Sequence, residues 1–228
     1  MRILAVDTSA VCAAVAVTDG EKVLSESQTN TGLTHSRTLM PMIDSTLKNA
    51  EIPLSSIDAF ACSVGPGSFT GIRIGVAAIK GLCDGTDKKC MPVSTLEALA
   101  YNLLGRSCTA VSVMDARCNQ VYCGIFAVDE NSVIRLTEDE AIKIDELKKK
   151  LPAYENVVFV GDGAKICHNA LGYGIAPPAL LYQKGSSVAL CAERNYSEAK
   201  LLKGSELLPV YLRLPQAERE LKAKQNLT

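Results

Sequence analysis

The chain has 228 residues, 47% of them apolar and 21% charged, and a formal net charge of -1. That is enough material for one large core or two small ones, and it offers no broad basic footprint for tight, salt-sensitive nucleic-acid binding. No apolar run nears the roughly 18 residues of a membrane span, and Asp7 interrupts the first apolar run before a signal-peptide core could form, so a cytoplasmic protein with no membrane partner is expected. The nine cysteines include no Cys-x-x-Cys pair and read as small buried hydrophobes rather than zinc ligands or a disulfide frame.

Residues 2–7, RILAVD, predict a strand ending on the carboxylate of Asp7; after Thr8, Ser9 and Ala10 the apolar run resumes over 11–17. Asp19-Gly20 is a hairpin signal, and residues 21–28 pair back as a third strand. The small side chains of Ala13, Ala14 and Ala16 predict close packing on both faces of the second strand. A helix follows from Thr34 to Ala50, with Leu39, Met40, Ile43 and Leu47 at spacings of three and four. His35, at its start, reads as a cap or surface group rather than a catalytic one.

Residues 57–64 give a strand that enters Gly65-Pro66-Gly67-Ser68-Phe69-Thr70-Gly71, and a helix runs on from Gly71 to Leu82 through Ile72, Val76 and Ile79. This glycine loop could open its N–H groups to an anion. It could equally be a sharp turn capped by Ser68 or Thr70, with Gly71 and Gly75 admitting a close neighbour. The second reading is favoured, because the loop matches neither G-x-G-x-x-G nor the P-loop pattern. Met91–Val93 is a short strand, and Ser94 starts a helix with Glu97 at the capping-box spacing.

Near residue 106 the pattern restarts. Residues 109–114 are an apolar strand ending on Asp115, Ala116 to Asn119 bend the chain, and residues 120–128 resume as a strand. Asp115 lies 108 residues after Asp7 in an equivalent setting, which indicates an internal duplication of one supersecondary unit. Beyond it the repeat is weaker: a charged helix over 144–151, a strand over 156–160, a turn at Gly161-Asp162-Gly163-Ala164, a helix over 164–171 and another from Ser186 to Leu202. Leu207 to Arg213 is extended, and 216–224 is a mixed-charge, solvated run. The expected organisation is therefore a first lobe at 1–106, a second at 107–213 whose last helix is free to pack back on the first, and a charged tail at 214–228.

Two such halves fit an α/β, actin-like (ASKHA) duplicated fold, two lobes each with a mixed β-sheet flanked by helices, in which ATP sits between the lobes. Paired carboxylates there would hold magnesium and orient water. Asp7-Thr8-Ser9 and Asp115-Ala116-Arg117 contain no glycine, so neither bend lets backbone N–H groups surround phosphates; these five residues, Asp7, Thr8, Ser9, Asp115 and Arg117, form at most a vestigial nucleotide cleft.

The segments ILAVDTS, SVGPGSFTGIRIGVAAIKGL, MDARCNQVY and PVYLR, in that order, resemble the bacterial TsaB (YeaZ) family. The resemblance implies a protein needed for N6-threonylcarbamoyladenosine formation on tRNA without being its catalyst. It implies binding and activation of the catalytic relative TsaD, a contribution from the ATPase TsaE, contact with tRNA only indirectly, and ATP or ADP only in complex with those partners. Where TsaD has a His-x-x-x-His metal helix, this chain has Thr95 and Leu99, and its two histidines, His35 and His168, lie 133 residues apart. No catalytic residue, metal or intrinsic cofactor is therefore expected. The family's partner helices would be the two amino-terminal ones, which also support a homodimer. That makes Leu39, Met40, Ile43, Leu47, Gly71, Ile72, Gly75, Val76 and Ile79 the expected partner-binding residues. The competing readings are an enzyme, either a kinase-like ATPase, favoured by the Asp7–Asp115 pair, or an M22-type glycoprotease-like enzyme, both opposed by the missing glycines and metal helix, and a tRNA-binding module, disfavoured by the charge balance.

Overall fold

The computed structural model describes residues 1–195 and 201–213. Its first three strands, β1 (Arg2–Asp7), β2 (Ala13–Asp19) and β3 (Lys22–Thr29), form an antiparallel meander turning at Gly20. Helix α1 (His35–Asn49) carries the chain back so that β4 (Ala59–Gly65) runs parallel to β1, and α2 (Phe69–Thr86) does the same for β5 (Lys89–Ser94) beside β4. Tight turns give antiparallel neighbours and helical crossovers give parallel ones. The resulting order is β3-β2-β1-β4-β5.

After α3 (Thr95–Tyr101), the second sheet repeats this scheme. Strands β6 (Cys108–Asp115), β7 (Gln120–Val128) and β8 (Val133–Arg135) are antiparallel, and β9 (Glu140–Lys143) also pairs with β7. Following α4 (Ile144–Lys150), β10 (Val157–Val160) lies parallel to β6; following α5 (Ala164–Leu171), β11 (Gly174–Ile175) lies parallel to β10. Read from its third strand, the order is β8-β7-β6-β10-β11, the same as in the first sheet. The duplication therefore extends through β10, α5 and β11, where the sequence pattern had faded, and the two-lobed actin-like architecture holds.

The short α6 (Pro178–Leu181) and α7 (Gly185–Arg194) follow, and α7 packs on β1 and β2 of the first sheet. Strand alternation explains how one sheet supports two cores. Leu4, Val6, Val15 and Val17 face α1 and α2, whereas Ile3 and Ala5 face Tyr101 of α3 and Val188, Ala189 and Ala192 of α7. The small residues of β2 are needed for this: a Cβ on Gly185 would stand 2.5 Å from the Ala16 nitrogen, so α7 begins almost on the strand backbone. All nine cysteines are free, and seven are buried.

Four local expectations change. The helix expected over Ser186 to Leu202 ends at Arg194, and Leu202 instead makes an antiparallel bridge to Cys90. Helix α2 runs beyond Leu82 to Thr86, because Cys83 continues its buried face and left-handed Asp87 closes it. Only half of the capping box forms: Ser94 Oγ accepts from Glu97 N at 3.3 Å, while the Glu97 carboxylate takes Arg135 and Asn195 at 3.0 Å each. The charged helix at 144–151 stops at Lys150, and Leu151 begins a short 3-10 turn. Residues 196–200 of that expected helix and the charged tail lie outside the described residues. No helix among the described residues is long and apolar enough to cross a membrane.

Candidate functional site

The first bend is closed by its own chain. Asp7 is 1% exposed, and its carboxylate accepts from Ser9 N at 2.8 Å, Ser9 Oγ at 2.6 Å and Ser63 Oγ at 2.6 Å. Burial pushes its pKa up, and the serine hydrogen bonds oppose that shift. The glycine loop covers the bend: Ser68 N donates to Ser9 O at 2.6 Å, and Ser68 Oγ caps α2 by accepting from Gly71 N. Helix α2 then lies directly on Thr8. A Cβ on Gly71 would meet Thr8 O at 2.0 Å, and one on Gly75 would meet Thr8 Oγ1 at 2.5 Å. Gly71 and Gly75 thus admit a close neighbour, as the turn-and-packing reading of the glycine loop expects, and Thr8 and Ser9 are buried beneath it.

The second bend is open. Asp115 and Arg117 are exposed, Asp115 Oδ1 accepts from Arg117 N at 2.7 Å, and Arg117, Cys118 and Asn119 all have left-handed φ, between 53° and 61°. Asp115 N in turn donates to the Asp162 carboxylate at 3.3 Å. Burial pushes Asp162 to about 6, and the Asp115 charge adds to the shift. Gly161-Asp162-Gly163 is a turn packed on the end of β6, since a Cβ on Gly161 would meet Val113 O at 2.2 Å. Between the bends lies a cleft of about 620 Å³ whose lining includes His35, Ser68, Asp115, Arg117, Asp162 and Arg213. Among the described residues, no cluster of three or more His, Cys, Asp or Glu side chains is placed to hold a metal ion.

The candidate partner residues divide by helix face. Leu39, Ile43, Leu47, Ile72, Val76 and Ile79 are all 9% exposed or less and pack in the first lobe's own core, while Gly71 and Gly75 face Thr8. The lobe's own sheet takes the apolar stripe of both helices, and the neighbour that the two glycines admit within the chain is Thr8. Of the nine, Met40 is the one on the outside, at 48% exposed. The outward stripe of α2 is Arg73, Ala77, Gly81 and Gly85, and a Cβ on Gly81 or Gly85 would meet nothing within 4 Å. Between the helices runs a groove of about 460 Å³ lined by Met40, Ile43, Leu47, Ile52, Leu54 and Leu82, among others.

Thr95 and Leu99 are both buried on α3, Leu99 in the core that joins the lobes. His35 Nε2 donates to Ala10 O at 2.6 Å and His168 Nδ1 to Tyr173 O at 2.6 Å, since a ring nitrogen facing a carbonyl must carry the proton. Sequence reasoning missed Ser63, which holds Asp7; its only local signal is a hydroxyl at the end of an apolar strand. It also missed the pairing of Asp162 with Asp115.

A family model described as "TsaD: tRNA N6-adenosine threonylcarbamoyltransferase" matches residues 23–217. The tRNA threonylcarbamoyladenosine biosynthesis protein TsaB of Bacillus subtilis is 30% identical over 227 residues, 96% of this chain and 96% of its own length. The TsaB of Haemophilus influenzae is 38% identical over 126 residues, a match that spans 54% of this chain and 52% of that protein. The solved structure of YeaZ from Pseudomonas aeruginosa superposes with a TM-score of 0.80 at 23% identity, covering 92% of this chain and 99% of that one, a likeness of fold.

Proposed function

We propose, since the chain belongs to the TsaB family of tRNA threonylcarbamoyladenosine biosynthesis proteins, that it serves that pathway as a non-catalytic subunit that binds and activates a TsaD-type threonylcarbamoyltransferase. The single observation that carries the non-catalytic reading is Asp7. The carboxylate expected to serve a metal in an actin-like cleft is instead buried and occupied by three hydrogen bonds from Ser9 and Ser63. Withdrawing it would leave buried hydroxyls without an acceptor. In this reading ATP or ADP enters with the partners TsaD and TsaE, and tRNA is met through the complex.

Docking falls to the outer face of α1 and α2. Ala77, Gly81 and Gly85 carry little or no side chain there, so a partner helix can approach closely, and Met40 beside the apolar groove supplies an adaptable contact. The same face serves a homodimer when TsaD is absent.

The test is calorimetric titration of TsaD with the purified chain, Met40→Glu and Gly81→Leu. Both substitutions point outward, so circular dichroism should keep its parent shape and the melting temperature should not fall below that of the parent chain. Binding should weaken by roughly tenfold or more, the equivalent of about 1.4 kcal/mol. Undiminished affinity in both variants would reject this face, and no binding by the parent chain would reject the partnership.

A further inference from the structure

The end of the described chain crosses the cleft. Leu207 is buried in the first lobe's core, and Val210 N donates to Val64 O at 2.7 Å. Val210 O lies so near the end of β4 that a Cβ on Gly65 would come within 2.3 Å of it. The Tyr211 ring stacks on Phe69 with centroids 4.5 Å apart, and its hydroxyl accepts from Arg73 Nε at 2.8 Å while the Arg73 guanidinium sits 3.8 Å over the Phe69 ring. Two residues later, Arg213 Nη1 donates to Ala116 O at 2.7 Å on the opposite lobe. Val210 to Arg213 thus form part of the cleft wall.

The two attachments differ in kind. On the first lobe the segment has a buried leucine, a backbone hydrogen bond and an aromatic–guanidinium stack. On the second lobe, its hydrogen bond among the described residues is the one from Arg213 to the carbonyl of buried Ala116, whose neighbours Asp115 and Arg117 to Asn119 are exposed, the last three of them left-handed. At the base of the cleft, by contrast, Ala10, Leu96, Leu99 and Met114 join the lobes in one apolar core. Segments held by few contacts open locally while a packed core stays shut.

We infer that residues 207–213 are a clasp across the interlobe cleft, moored on the first lobe by Tyr211 and latched on the second by Arg213, whose release frees the mouth of the cleft without unfolding either lobe. The inference does not depend on which partner the protein serves. A partner that reads the open form would draw on this latch; one that reads the closed form would tighten it.

Hydrogen exchange followed by mass spectrometry on the full chain tests it, comparing the parent with Arg213→Met, which keeps the aliphatic stem, and with Tyr211→Ala. Loss of one charge-assisted hydrogen bond predicts roughly tenfold faster exchange at residues 116–120 in Arg213→Met, with β6 and β7 unchanged and faster modification of the neighbouring exposed Cys118. Tyr211→Ala should add faster exchange at Val210. Unchanged exchange at 116–120 in Arg213→Met would overturn the latch, and so would an equal rise across both sheets, which would mean general destabilisation.

Discussion

The two bends occupy the same place in their repeats and have opposite fates. At the first, Asp7 is 1% exposed and held by two serines, and a glycine-lined helix rests on Thr8. At the second, Asp115 is exposed and its loop stays left-handed and open. A duplicated scaffold fixes where a carboxylate stands but not what it does; that depends on what the following crossover helix brings to it. Helix α2 closes its bend because Gly71 and Gly75 present no side chain to Thr8. In the second lobe it is Gly161 and Gly163 that approach the end of β6, with the half-buried Asp162 between them.

The largest effect should come from prying the first bend open. Gly75→Val forces a side chain against Thr8 Oγ1 and should cost upward of about 3 kcal/mol in denaturant unfolding. Gly81→Ala, on the open side of the same helix, should gain roughly 0.5–1 kcal/mol. Equal effects at the two sites would show that α2 does not seal the bend. A middle-sized effect separates the carboxylates. Ser63→Ala strips one of the three donors from buried Asp7 and should cost about 1–3 kcal/mol, whereas Asp115→Asn should stay within about 0.5 kcal/mol.

The smallest effect is a pH dependence at the second bend. Burial raises Asp162 from 3.8 to about 6 in the folded chain, so the folded state keeps this proton longer than the unfolded one. Its favourable contribution is complete below about pH 4 and is lost as pH rises through about 6. Asp162→Asn, which needs no proton, should melt close to the parent at pH 4 and should be more stable by on the order of 2 kcal/mol above pH 7. Parallel stability curves for the two chains across that interval would refute the assignment.

Much of the fold was legible because strand periodicity and the Asp7–Asp115 spacing are local signals that survive duplication. What covers the apolar stripes of α1 and α2 was not. Leu39, Ile43 and Leu47 announce an apolar stripe, yet a stripe states that it will be covered and not by what; the lobe's own sheet is nearest and takes it. Gly71 and Gly75 were legible as a close-packing pair, but their neighbour, Thr8, lies more than sixty positions earlier in the chain. The mooring of Tyr211 on Phe69 and Arg73 had no local signal at all, since partners so distant in sequence meet only after both lobes exist.

Helix α7 belongs to the second half of the chain but lies on β1 and β2 of the first. Without α7, Ile3 and Ala5 would keep only α3 as cover on that face, so an amino-terminal half cut from the rest would expose part of its own core to water.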